Sequence, residues 1–257
     1  MNDIKIYVIT LKNKNEYVES NNFKSLSKLK KKIILSKGVI LNKEQQDKYF
    51  IYCKSSIGIS LAHIKVWKKI IKKTKEDNYF DNFSIILEDD TQLNIDVKKF
   101  NEEIKNIINN YKFDIYKLHS DFDNGFTSMA GYIINHKSID KLLNKYVTIL
   151  GQIDFDLFIL NLCNKITIIT HTYNLFTTDE SESTNRKDKY NILKFMDNIK
   201  LSKRSDKNLK HYLTYKVFKI FNYETIVYEI LLFVLLVISM YFKLKYLFFI
   251  IIILLIL

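Results

Sequence analysis

The chain contains no proline in its 257 residues and only five glycines. That excludes proline-rich linkers and glycine-rich low-complexity tracts, and no internal repeat interrupts the sequence. Cysteine is almost as scarce: Cys53 and Cys163 stand far apart, with no CxxC and no matched histidine. That spacing argues against a zinc site and a disulfide framework, and two ordinary buried thiols in a reducing compartment are expected. Acidic residues are in deficit, 28 against 40 basic ones, for a net charge of +12. The lysines are spread along the chain rather than interleaved with aromatics in one block, so no nucleic-acid partner is expected.

What is present is patterned. Residues 4–11 are β-rich, and Asp3 and Lys5 break any apolar signal core, so the opening reads as a strand rather than a secretory signal. Residues 12–50 are polar, with apolar islands at Ile33–Leu35 and Val39–Leu41. A helix follows in "SIGISLAHIKVWKKIIKKTKED", where Leu61, Ile64, Trp67 and Ile71 recur at helical spacing. Ile85–Leu87 form a short buried strand. Val97, Phe100, Ile104, Ile107 and Tyr111 then mark one face of a second helix. Strands are expected at 113–119, 128–136 and 165–173, and helices at 137–146 and 152–163. Strands alternating with helices imply an α/β domain around a mostly parallel sheet. Residues 177–205 read as a polar loop.

The strand at Ile85–Leu87 runs directly into Glu88, Asp89 and Asp90. Acids just beyond the carboxyl edge of a sheet stand where open α/β sheets place their ligands. Carboxylate oxygens there suit a hard divalent cation, Mn²⁺ or Mg²⁺, which in turn can neutralise a diphosphate leaving group. Without a ligand, the same triplet would be an exposed acidic turn.

In order along the chain, "IYVITL" (6–11), "GISLAHIKVWKKI" (58–70), "IILEDD" (85–90), Tyr116–Leu118, "TSMAGYIIN" (127–135) and "QIDFDLF" (152–158) resemble the motifs of glycosyltransferase family 25. That family includes lipooligosaccharide galactosyltransferases and collagen galactosyltransferases. The likeness covers about residues 4–180, with departures. Ile59 and Ala62 replace the family's Cys and Ser beside His63, Gln152 stands for a proline, and Lys12 and Lys14 replace arginines. The resemblance implies a GT-A-like fold acting on a UDP-hexose, galactose or glucose, with Mn²⁺ or Mg²⁺ and a glycan, protein or lipid acceptor. It further implies Asp90 and His171 as metal ligands, and Glu88, Asp89 and His63 as donor contacts. Asp154 is then the base that takes the acceptor's proton. Asp156, two residues on in a helix, points roughly 200° away and belongs to no common site. A catalytically inactive sugar-nucleotide-binding scaffold is the alternative.

The chain ends "IVYEILLFVLLVISMYFKLKYLFFIIIILLIL". The 17 residues from Ile226 to Phe242 would span roughly 25 Å as a helix, just short of a hydrocarbon core. The expected organisation is therefore a catalytic domain at 1–199, a basic juxtamembrane segment at 200–225 and a membrane-anchoring tail at 226–257. The basic segment, with Lys200, Lys203, Arg204, Lys207, Lys210, Lys216 and Lys219 against Asp206, favours a cytoplasmic catalytic domain.

Overall fold

A computed structural model describes residues 4–49, 53–77, 82–122, 128–146, 152–178, 196, 199–203, 207–214, 216–220 and 223–242. The described elements run in the order β1 (Lys5–Thr10), α1 (Lys14–Glu19), α2 (Asn21–Ser27), β2 (Ile33–Lys37), α3 (Lys43–Lys48), α4 (Lys54–Asp77), β3 (Phe83–Glu88), β4 (Thr91–Leu93) and α5 (Val97–Asn110). They continue with β5 (Ile115–Lys117), β6 (Gly131–Asn135), α6 (Ile139–Lys145), α7 (Ile153–Leu162), β7 (Ile168–Thr170), β8 (Phe176–Thr178), α8 (Leu209–Leu213), β9 (Lys216–Ile220), β10 (Tyr223–Ile226) and α9 (Val227–Tyr241).

The central sheet has the order β2-β1-β3-β6-β5-β7. β1, β2 and β3 pair in parallel, as do β5 and β7, while β6 runs antiparallel between β3 and β5. The mostly parallel sheet expected from the sequence is present, with one strand reversed. Alternation divides the strand residues between two apolar layers. Ile6, Val8, Ile85 and Leu87 pack toward Phe100, Ile104 and Ile107 of α5. Tyr7, Ile9, Ile86 and Ile134 pack toward Val66, Trp67 and Ile70 of α4 and Leu157 of α7.

With no proline and few glycines, polar side chains close the helix ends. Asn13 and Glu16 form a reciprocal capping box on α1, and Asn42 and Gln45 form another on α3. Ser20 caps α2 and Asp96 caps α5 by accepting backbone N–H bonds. These short helices, with β2, occupy the region that reads from sequence only as polar with two apolar islands. The caps hold helices too short to persist on propensity alone.

Two details differ from the periodic pattern. The buried stripe of α4 is Ile57, Ser60, His63, Trp67, Ile70 and Thr74, while Leu61 and Ile64 lie at its edge. His63 is therefore central to the packed face. In addition, the acids are followed at once by β4, which pairs antiparallel with β8. Gly58 lets α4 approach the backbone after β2, because a Cβ there would stand 2.6 Å from the Val39 carbonyl oxygen.

α9 has 15 residues, and among the described residues no helix is long and apolar enough to cross a membrane. Residues 243–257 of the expected tail, and 179–195, 197–198 and 204–205 of the polar loop, lie outside the described residues. Of the two cysteines, Cys53 is buried and Cys163 is exposed. Described residues of the stretch 200–225 contact the domain instead of leading away from it. Lys207 pairs with Asp121 at 3.0 Å, the Gln152 amide donates to the Lys216 carbonyl at 2.6 Å, and the Tyr212 ring packs on Phe122 at 5.1 Å.

Candidate active site

From β1 the chain passes to β2 on one side, then returns to place β3 on the other side of β1. The carboxyl ends of β1 and β3 thus border the switch point of the sheet, where diverging connections leave a crevice. A cleft of about 1040 Å³ opens there. Thr10 ends β1 and Glu88 ends β3, so both reach it, as do Asp89 and Asp90 in the turn that follows. The Thr10 hydroxyl donates to Asp89 Oδ2 at 2.5 Å, and the Asn22 amide donates to the Asp89 carbonyl at 2.7 Å. The Thr91 hydroxyl donates to the Glu88 carbonyl at 2.6 Å. These bonds fix the acidic turn to both neighbouring elements.

Behind Glu88 lies a directed hydrogen-bond chain. Trp67 Nε1–H can only donate, and it meets the Tyr132 hydroxyl at 2.8 Å. The single Tyr132 proton is then directed to His63 Nδ1 at 2.9 Å, which leaves His63 Nε2–H to face Glu88 Oε1 at 3.3 Å. Trp67, Tyr132 and His63 are fully buried, and burial raises the Tyr132 phenol well above its ordinary range. The chain holds one Glu88 oxygen while the cleft borders the rest of that side chain.

Across the cleft, the first turn of α7 supplies Asp154. Its carboxylate accepts the Ser128 N–H at 3.2 Å and the Phe155 N–H at 3.1 Å. Ser128 adopts a left-handed φ of 70°, a strained state for a non-glycine residue, and that turn aims its N–H at Asp154. Burial pushes the Asp154 carboxyl above the ordinary range. The Lys117 charge and the two N–H bonds oppose the shift, and Glu88 adds to it. Asp156 is buried on another side of α7, accepting from the Tyr146 hydroxyl at 3.2 Å. The divergence expected of the two aspartates holds.

Lys117, at the end of β5, is 1% exposed. Burial lowers its ammonium to about 8, against the opposing pull of Asp154 and Asp121. From about pH 8 up to the ordinary lysine value of 10.5, the unfolded chain retains a proton that the folded chain has released. Stability should therefore rise by about 1–2 kcal/mol between about pH 8 and about pH 9.5. The window closes near 10.0, the ordinary tyrosine value. Buried tyrosines such as Tyr116, pushed up to about 12, remain neutral there while the unfolded chain ionises. Urea melts of wild type and Lys117→Met across that range check this: the rise should be absent from the variant. An equal rise in both would rule out Lys117 as its source.

The far wall of the cleft comes from the carboxyl-terminal part of the chain: Lys207, His211 and Tyr212 in and before α8, Val217 of β9, and Val227, Ile230 and Leu231 of α9. His171 is elsewhere. It packs on Tyr116 and Tyr173 with ring centroids 5.9 and 4.6 Å away, and its Nε2 lies 3.8 Å from Glu103. His171 is not among the residues that line the cleft, and the late histidine there is His211. Of the other residues singled out from sequence, His63, Glu88, Asp89, Asp90 and Asp154 all line this cleft.

Lys117, Asp121 and His211 were not singled out. A lysine inside the apolar strand "FDIYKLHSD" is a signal that could have drawn attention to Lys117 and Asp121. His211, on a five-residue helix, carries no comparable signal.

Among the described residues, no three His, Cys, Asp or Glu side chains are grouped as a protein-only metal cage. The all-oxygen donor set of Glu88, Asp89 and Asp90 nevertheless fits Mn²⁺ or Mg²⁺. Such ions are commonly held by one or two carboxylates together with substrate phosphates. The Thr10 hydroxyl engages one Asp89 oxygen, Oδ2, and His63 engages one Glu88 oxygen, Oε1.

No protein-family model matches the chain, and no curated protein does. Several solved structures are similar in layout. A197 from STIV is 8% identical, with 69% of this chain and 87% of that one covered and a TM-score of 0.42. A glycosyltransferase involved in glycosylation of the major capsid of PBCV-1 is 12% identical over 66% and 81% of the two chains, with a TM-score of 0.38. A Drosophila β-1,4-galactosyltransferase 7 variant, in complex with manganese, UDP-Gal and xylobiose, is 8% identical over 71% and 74%, with a TM-score of 0.40.

Proposed function

We propose that this protein is a glycosyltransferase that moves a hexose, galactose or glucose, from a UDP-sugar to an acceptor hydroxyl. The observation that carries the reading is the placement of the acidic turn Glu88–Asp90 and the α7 carboxylate Asp154 in one cleft at the β1/β3 switch point. The ordered resemblance to family 25 supports it independently.

In this reading Asp90 and a neighbouring carboxylate hold Mn²⁺ or Mg²⁺ against the donor diphosphate, with His63 keeping Glu88 in place. The cation supplies charge neutralisation for the departing diphosphate. A cation bound there would offset the short-range repulsion between three carboxylates and a diphosphate. Asp154 takes the proton from the acceptor hydroxyl. Its oxygen forms the new bond to the anomeric carbon, and the carbon–oxygen bond to the diphosphate breaks with its electron pair leaving on UDP. A raised carboxyl suits that role, since a base works best when its pKa approaches the working pH. The tail at 226–257 anchors the enzyme to a membrane, with the catalytic domain on the cytoplasmic side.

Incubation of the full chain with a panel of UDP-hexoses and Mn²⁺ tests this reading. Release of UDP from at least one sugar, lost on chelation with EDTA and restored by Mn²⁺, is expected. Failure to bind or cleave any member would overturn it.

A further inference from the structure

The cleft wall contributed by α9 leads to the acceptor. Val227, Ile230 and Leu231 line the cleft that holds the acidic turn and Asp154. Three and four residues further along the helix, the same side carries Val234, Ile238 and Tyr241, all exposed. At a rise of about 1.5 Å per residue, this apolar stripe runs about 16 Å outward from Ile230. One side of α9 is packed, with Tyr228 and Leu232 buried against Leu213 and Ile226, while Phe233, Val237 and Met240 are exposed like the stripe but, unlike it, do not continue a cleft wall.

A water-soluble acceptor has no use for such a stripe, and large exposed apolar patches mark interaction sites. The surroundings identify the occupant. The stretch 200–219 carries seven basic residues and one acid; Lys207 is engaged by Asp121, and the net positive charge of the whole stretch suits anionic lipid headgroups. The sequence after α9 holds Lys243 and Lys245, then twelve uncharged residues from Tyr246 to Leu257, eleven of them aliphatic or phenylalanine. A helix that enters a bilayer here brings the cleft mouth to the headgroup level.

We propose that the acceptor is a glycolipid of the bilayer, its hydroxyl-bearing head beside Asp154 and its acyl chain along the Val227–Ile230–Val234–Ile238 side of α9. The inference rests on the sugar-transfer reading for what happens to the head, but the binding geometry can be measured without donor or metal.

The full chain is reconstituted in phosphatidylcholine–phosphatidylglycerol vesicles containing glucosyl diacylglycerol with a diazirine in one acyl chain, then irradiated and mapped by mass spectrometry. Cross-links at Ile230 or Leu231 and at the cleft residues Ile153 or Phe155 are expected. Unlabelled glucosyl diacylglycerol should abolish the cleft cross-links, whereas free glucose should not. Phosphatidylcholine bearing the same diazirine chain should leave Ile153 and Phe155 unlabelled. Labelling confined to Phe233, Val237 and Met240 would mean ordinary bilayer contact and overturns the proposal. So does the absence of lipid label with α9 cross-linked to a second copy of the chain. Neither result bears on UDP release, so the two readings fail separately.

Discussion

Replacement of Asp90 by alanine is expected to lower UDP-sugar turnover by about 100-fold or more, in line with the loss of a preorganised electrostatic contact at a reacting centre. The substitution lies beyond the last residue of β3, in the turn before β4, and removes no strand-pairing bond. Thr10 and Asn22 would still hold the turn through Asp89. The loss should therefore appear as weaker Mn²⁺ dependence with an unchanged circular dichroism spectrum and melting curve. Full, Mn²⁺-dependent turnover in Asp90→Ala would remove the metal role from this residue.

Asp154→Asn should be at least as damaging to transfer, by about 100- to 10,000-fold, the usual contribution of a positioned base. Asparagine keeps the size of the side chain and can still accept one of the two N–H bonds, from Ser128 or Phe155. It cannot accept a proton. In the wild type the base must be ionised, so kcat/KM should fall as pH is lowered through a carboxyl pKa above the ordinary 3.8. That acid limb should vanish in the variant, while binding of the UDP-sugar persists. An unaltered pH profile with normal turnover would exclude Asp154 as the base. The two substitutions thus separate donor chemistry from acceptor chemistry within one cleft.

Much of this was legible before any coordinates. Periodicity located α5 almost to the residue, because its apolar positions from Val97 to Tyr111 recur on one face. The buried strand ending in Glu88 was equally plain, because three aliphatic residues followed by three acids have few other interpretations. The amino-terminal helices were not, since six- and seven-residue helices held by caps carry too little periodicity to register. The reversal of β6 was likewise hidden: a strand buried on both faces looks the same in either direction.

The site divides in the same way. Residue chemistry alone drew attention to Glu88, Asp89 and Asp90, because acids at a strand end are a local feature. Asp154 and His63 came only from the resemblance to family 25 motifs. Tertiary structure decided what each one meets. It left His171 out of the cleft lining, packed on Tyr116 and Tyr173, and it put His211 into the cleft instead. It joined Trp67 and Tyr132 behind His63 across 65 and 69 residues of sequence, and it buried Lys117 beneath two acids. It also turned the carboxyl-terminal segment from a basic stalk into a cleft wall. Local sequence carries hydrogen-bonding and hydrophobic periodicity over a few residues, whereas these contacts depend on strand order and helix crossing, which only the folded chain fixes.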